Sequence, residues 1–249
     1  MSSEIQGFLK SISFRFIQPQ TPFRVLWGLG TFPNSILTKL LLRFETWIEL
    51  CNTNIALEPE RKEALKGLCA IPKMSTYALG SVVNFLTAQL KSGQAFVNVG
   101  VWHGFTFLSG VVCNPQKRCV GVDNFSEFRG PKDSFMGSFN KYKSANHEFF
   151  EMDYQRYFKE KHSGPIGFYI YDGEHSYENQ MQGLKVAEPF FAEGCIVLVD
   201  DTNISHVHAA TMDFISQSRH KYRILLDQRT RCNAHPTFWN GIIVFQKNA

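Results

Sequence analysis

From Ala95 onward the chain alternates short apolar runs with helical patterns, and this rhythm constrains the fold more than any other feature. "AFVNVG" precedes a helix-like "GFTFLSGVV", "RCVGVD" precedes "DSFMGSFNKYK", and "EFFEMD" precedes "YQRYFKE". "IGFYIYD" leads into a helix predicted over 176–191, and "CIVLVDD" into one over 206–219. Strands alternating with helices make a parallel sheet covered by helices on both faces. The final pair, "YRILLDQ" and "NGIIVFQ", has a loop between its members and no helix, which predicts antiparallel pairing. Five parallel strands and a closing hairpin result.

Residues 1–92 follow another pattern. "SILTKLLLRFETWIELC", "PERKEALKGLCAI" and "STYALGSVVNFLTAQL" carry apolar residues at helical spacing. Proline and glycine clusters in "QPQTPF" and "GLGTFP" predict loops and short turns over the first thirty-odd residues. The division is therefore a helical segment, 1–92, that serves as a lid or a subunit contact, and an α/β domain, 93–249. The aromatic and basic stretches "FLKSISFRF" and "FRVLWGLG" admit an interfacial membrane helix as the other reading of this segment.

Bulk properties narrow the class. A formal charge of +4, with no clustered basic stripe, gives no warrant for nucleic-acid binding. The six cysteines are scattered without a CxxC pair or a Cys/His cluster, which fits a reducing, cytoplasmic setting and no zinc site. No apolar stretch approaches the length of a membrane span.

Ligands of open α/β sheets bind beyond the carboxyl ends of the strands. Four of the five parallel strands run into an acid there: Asp123, Asp153, Asp172, and Asp200 with Asp201. The first runs into the glycine turn "NVGVWHGFT", where Gly100 and Gly104 are spaced GxxxG rather than the GxGxxG of a nicotinamide site. Such a turn lets backbone approach a ligand, with free N–H groups at the following helix start. Asp123 is placed to accept from the hydroxyls of a ribose and Asp153 to reach an adenine amino group, although both also suit helix-cap roles.

Neighbouring strands lie about 4.8 Å apart, so Asp172, Asp200 and Asp201 should meet. Three carboxylates that close require a raised pKa, a basic partner such as Lys185 or Arg229, or a bound cation. Oxygen donors favour a hard ion such as Mg²⁺. His175, three residues after Asp172 at a predicted helix start, should be neutral and able to take a proton. Glu174 is the rival base.

"FVNVGVWHGFTFLSG", "GVDNFSEFRGP", "FNKY", "YDGEHSYE" and "GCIVLVDDTN", in this order, resemble the class I S-adenosylmethionine-dependent methyltransferases, and among them the macrocin (sugar) O-methyltransferase group. The resemblance spans residues 71–245. It implies a Rossmann-like, doubly wound seven-stranded sheet with a reversed last strand, and a catalytic Mg²⁺ on Asp172, Asp200 and Asp201. It also implies a base at Glu174 or His175, and cofactor contacts at Gly100, Thr106, Asp123, Asp153 and Asp172. Where the family opens its glycine motif with an acid, this chain has Asn98, an amide that can hold a turn or bond a cofactor group.

The expected activity is Mg²⁺-dependent O-methylation of a sugar-type hydroxyl, on a vicinal diol, by a homo-oligomeric enzyme acting on a small molecule. A catechol acceptor, a metal-dependent hydrolase using Asp172, His175 and Asp200, and a non-catalytic binding protein on the same fold are the alternatives.

Overall fold

The structure is a computed structural model, and it describes residues 2–24, 36–128 and 130–248. The helical segment comprises α1 (Ser2–Ser11), α2 (Ile36–Asn52), α3 (Pro59–Leu68) and α4 (Tyr77–Ala88). The strands β1 (Ser13–Phe14) and β2 (Thr53–Asn54) form a small antiparallel ribbon within it. The alternating part runs β3 (Ala95–Val99), α5 (Phe105–Val111), β4 (Arg118–Asp123), α6 (Lys132–Tyr142), β5 (His147–Glu151), α7 (Tyr154–Glu160), β6 (Ile166–Tyr171), α8 (Tyr177–Ala187), β7 (Phe191–Val199) and α9 (Ser205–Gln217). The hairpin strands β8 (Tyr222–Gln228) and β9 (Ile242–Lys247) close the chain.

The seven-stranded sheet has the order β5-β4-β3-β6-β7-β9-β8. Pairing is parallel from β5 through to β7, and β9 runs antiparallel to both β7 and β8. The reversed strand is thus slotted between β7 and β8 instead of lying at the edge. Strand order reverses at β3, whose successors β4 and β5 lie on one side and β6 and β7 on the other. A crevice opens at that switch point, beyond the carboxyl ends of β3 and β6.

The strands are buried on both faces, and their side chains alternate between two cores. Phe96, Phe168, Ile170, Ile196, Leu198 and Val244 join Leu79, Val83, Phe107 and Phe139 on one face. Val97, Tyr169, Tyr171, Val197, Val199 and Phe245 join Tyr157, Leu184 and Phe214 on the other. This two-residue alternation is why the strands read as near-continuous apolar runs in sequence.

Three expectations need correction. The first residues form a true helix, α1, because Ile5, Phe8 and Leu9 share one buried face at helical spacing. The helical segment does carry a strand pair, β1 and β2, though of only two residues each. Finally, α8 ends at Ala187 and not at 191, since Pro189 turns the chain into a short 3₁₀ turn, Glu188–Phe190, and β7 begins at once. The readings of "GLGTFP" and of most of "FRVLWGLG" fall on 25–35, outside the described residues. Among the described residues no helix is long and apolar enough to cross a membrane, and all six cysteines are free thiols.

Candidate active site

The crevice is a cavity of about 460 Å³, within the size range of small-molecule and cofactor sites. Its floor is set by two backbone contacts. The Gly100 N–H donates to Val122 (2.8 Å) and the Asp172 N–H donates to Val99 (2.8 Å), which brings the ends of β3, β4 and β6 together. Gly100 sits at φ +78°, and a Cβ there would lie 1.9 Å from the Asp172 carbonyl oxygen. Only glycine fits where these two strands leave the sheet.

At one end of the cavity Asp123 organises the glycine turn. Its Oδ2 accepts from the N–H groups of Val101 (2.7 Å) and Trp102 (3.0 Å), and its Oδ1 accepts from Phe125 (2.7 Å). Asn98 is fully buried and spends its amide N–H on the carbonyls of Val99 (3.1 Å) and Gly100 (2.7 Å). It braces the turn from beneath and is not part of the cavity wall. Gly104, at φ +101°, is the N-cap of α5, and Thr106 in the first turn of that helix lines the cavity. Asp153 caps α7 by accepting from the Arg156 N–H (3.0 Å) and also lines the cavity.

At the other end the acids meet. Asp172 Oδ1, His175 and Asp201 offer donor atoms within 4.8 Å of one another. His175 Nε2 lies 2.8 Å from Asp201 Oδ2 and 4.0 Å from Asp172 Oδ1. Asp200 lies just behind, 4 % exposed, sharing a hydrogen bond with Asp172 while its Oδ1 has no partner.

The electrostatic problem posed by the sequence is met by proton uptake and by one histidine. Burial, then the charges of Asp200 and Asp201, hold the Asp172 carboxyl well above the usual carboxylate range, although 27 % of its side chain faces the open cavity. Burial and the charge of Asp201 push Asp200 up to about 7, against the opposing pull of His175. For His175, burial works to lower the pKa, but the hydrogen bond and charge of Asp201 outweigh it and the net direction is upward. The expectation of a histidine held neutral by a helix start therefore fails, because α8 begins two residues later and Asp201 dominates. Lys185 lies in the last turn of α8, on the wall of a second cavity with Glu188 and His220. The rival base Glu174 is exposed and tied to Asn179 Nδ2 at 2.6 Å.

The residues suit the groups that the sequence implies. Two carboxylates and an imidazole, with an orphaned buried Asp200 oxygen behind them, form a mixed O/N donor set for a divalent cation. The nucleoside end has the glycine approach, Asp123 and the free oxygen of Asp153, together with the rings of Phe125 and Tyr154. Sequence reasoning missed several residues of the wall. Trp102, held at φ +47°, buries an indole N–H that has no partner. Trp239 and Asn240 reach the cavity from the loop before β9, and Lys73 and Met74 from the loop before α4. Of these only Trp102 sat inside a quoted motif. The others come from distant loops with no local signature.

Residues 97–202 match the family model described as a methyltransferase domain. No curated protein matches the chain in sequence. Among solved structures, an O-methyltransferase from Bacillus cereus, in complex with SAH, superposes with a TM-score of 0.54 at 12 % identity, over 83 % of this chain and 97 % of that one. The O-methyltransferase TomG from Streptomyces achromogenes, in complex with SAM, gives 0.50 at 11 % identity, over 78 % and 92 %. A precorrin 8w decarboxylase from Methanobacterium thermoautotrophicum gives 0.51 at 12 %, over 72 % and 94 %. At such identities the structural likeness is one of fold, and the decarboxylase marks how far fold alone leaves the chemistry open. The domain match and the sheet topology together place the chain in the class of class I S-adenosylmethionine-dependent methyltransferases.

Proposed function

We propose that the protein is an O-methyltransferase acting on a hydroxyl of a small molecule, of sugar type and with a neighbouring hydroxyl, assisted by Mg²⁺ or a similar divalent ion. The observation that carries this reading is the His175 Nε2–Asp201 Oδ2 contact of 2.8 Å, at the opposite end of one cavity from Gly100 and Asp123.

S-adenosylmethionine, when bound, supplies an electrophilic methyl group on a sulfonium sulfur, and a divalent ion on Asp172 and Asp201 would lower the pKa of an acceptor hydroxyl. The chain's own residues do the rest. The Gly100 turn lets backbone approach the cofactor, and Asp123 fixes that turn through three N–H groups. Asp201 accepts from His175 Nε2–H, which leaves Nδ1 bare. Nδ1 is buried and has no partner, so it is the atom that takes the hydroxyl proton. Trp102 and Trp239 supply ring faces for an acceptor, and Lys73, Met74 and Arg24 extend the wall from the helical segment. That segment acts as the lid of the cavity, and a homo-oligomer built through it is part of the same reading.

A second reading is favoured by the 4.8 Å grouping of Asp172, His175 and Asp201: the imidazole is itself a metal ligand and the base lies elsewhere. Isothermal calorimetry with S-adenosylmethionine, followed by labelled-methyl transfer to a panel of glycosides and catechols with and without EDTA, tests the set. Cofactor binding, transfer to a diol and loss of transfer in EDTA are expected. A wild-type chain that binds no cofactor would exclude the function altogether. His175→Gln separates the two roles: a lost base leaves Mn²⁺ affinity intact, whereas a lost ligand lowers it.

A further inference from the structure

Asp201 is gripped from both sides, and the second grip comes from a residue far away in sequence. Asp201 stands at φ +53° in the turn after β7. Its Oδ2 faces His175, and its Oδ1 accepts a hydrogen bond from Asn240 Nδ2. Asn240 is itself fixed at two further points. Its backbone carbonyl accepts from the Asn203 N–H (2.7 Å), and its side-chain carbonyl accepts from the Ala234 N–H (2.8 Å). The second bond settles the orientation of the amide, since a backbone N–H can only meet the oxygen end. The NH₂ end must then point at Asp201.

The loop that carries Asn240 is anchored in turn. Thr230 Oγ1 donates to the Trp239 carbonyl (3.0 Å), Asn203 Nδ2 donates to Thr230 (2.9 Å), and Thr202 N–H meets Gly241 (3.4 Å). Gly241 at φ +84° has no room for a Cβ beside Thr202 Oγ1 (2.8 Å) and Asn203 Oδ1 (3.0 Å). The turn after β7 and the turn before β9 are therefore packed as one unit.

We infer that Asn240 is a positioning residue: by occupying Oδ1 of Asp201 it presents Oδ2 to His175, and so sets the imidazole ring of the reacting end. The inference rests on the proposed function for the roles of His175 and Asp201, but its geometry can be read without turnover. Asn240→Asp is the discriminating change. It keeps an acceptor for the Ala234 N–H, and it replaces the donor facing Asp201 by an acceptor. Asn240→Leu removes both and serves if the first variant does not fold.

The experiment is ¹⁵N-histidine NMR of the full chain, in which the hydrogen-bonded His175 Nε2–H gives a downfield proton signal, assigned by its disappearance in His175→Gln. The signal is expected in the wild type and lost in Asn240→Asp, with S-adenosylmethionine affinity by calorimetry unchanged. Methyl transfer should fall about 10- to 100-fold in kcat, the cost typical of removing a partner that orients a ligand or base. A signal and kcat that both survive in Asn240→Asp overturn the inference, and so does a wild type that lacks the signal. If the signal is lost as expected but the wild type methylates no acceptor, the positioning role stands and the proposed function fails.

Discussion

At the residue scale, two partly buried histidines show how the partner decides the outcome of the same desolvation. His175 faces a carboxylate and its pKa moves up. His162 packs against Tyr157, Phe158 and Phe190, with its Nδ1 at 2.9 Å from the Tyr157 hydroxyl and its Nε2 at 3.1 Å from the Gly164 carbonyl. The carbonyl can only accept, so Nε2 carries the proton, the tyrosine donates to Nδ1, and the ring is neutral. Burial pushes its pKa down to about 4, with the nearby Arg118 charge acting in the same direction. A folded value below the unfolded one of about 6.5 means that the unfolded chain binds more protons between those limits. Stability from this group is therefore full above about pH 6.5 and is lost as pH falls towards 4. The linkage is on the order of 2–3 kcal/mol, at about 1.4 kcal/mol per pH unit between the two values and discounted for partial exposure. Urea unfolding of wild type and His162→Gln at pH 7.5 and pH 4.5 checks it. The wild type should lose more stability than the variant over that interval, and equal losses would remove His162 as an acid-sensitive point.

At the element scale, the alternating pattern located every parallel strand and every helix between strands, because each strand is apolar on both faces and each ends at a glycine or an acid. The reacting cluster was legible for the same reason: Asp172, His175 and Asp201 lie on two adjacent strand ends whose neighbourhood follows from topology. Asn240, Trp239 and Lys73 were not, since loops packed across the crevice bring them there and no local spacing encodes such packing. The helical segment shows the same limit. Its helices are readable by period, but the joint between them is tertiary. Glu49 of α2 meets Lys73 at 2.5 Å with both side chains under 4 % exposed. Its second oxygen accepts from the Tyr77 N–H (2.7 Å) in the first turn of α4. Removing one partner of a buried pair leaves the other uncompensated and costs about 3–5 kcal/mol, whereas removing both charges together is often nearly neutral. Lys73→Met is thus expected to destabilise the fold by that amount, and Lys73→Met with Glu49→Gln to recover most of it, because glutamine still accepts from Tyr77. Denaturation of the two singles and the double gives the coupling. Additive effects would mean that the pair does not join α2 to α4.

At the scale of the whole molecule, the question is whether residues 1–92 behave as an appendage or as part of the methyltransferase domain's own core. The packing argues for a shared core. Phe8 of α1 stacks on Phe85 of α4 with ring centroids 3.7 Å apart, and α4 in turn is buried along nearly its whole length against α5 and the sheet. Phe14 meets Phe238 edge-on at 5.3 Å, and the segment before the described residues break off is tied to the loop of Asn240. In that tie, Cys232 Sγ meets the Phe23 carbonyl, Arg231 N–H donates to Pro19, and His235 Nε2 donates to Thr21. The contacts that hold the helical segment down are thus the same ones that steady the cavity's far wall. Phe8→Ala should then cost about 3–5 kcal/mol, the usual range for emptying a buried phenylalanine site. The loss should appear in one cooperative transition, seen equally by far-UV circular dichroism and by tryptophan fluorescence, in which Trp102 and Trp239 report from the cavity. A segment folding on its own would instead give an early step for the helices and an unshifted later one for the cavity tryptophans. Coincident, shifted transitions in Phe8→Ala would make the lid and the catalytic domain one thermodynamic unit. Any opening of the cavity would then have to come from local motion within that unit, not from release of the whole segment.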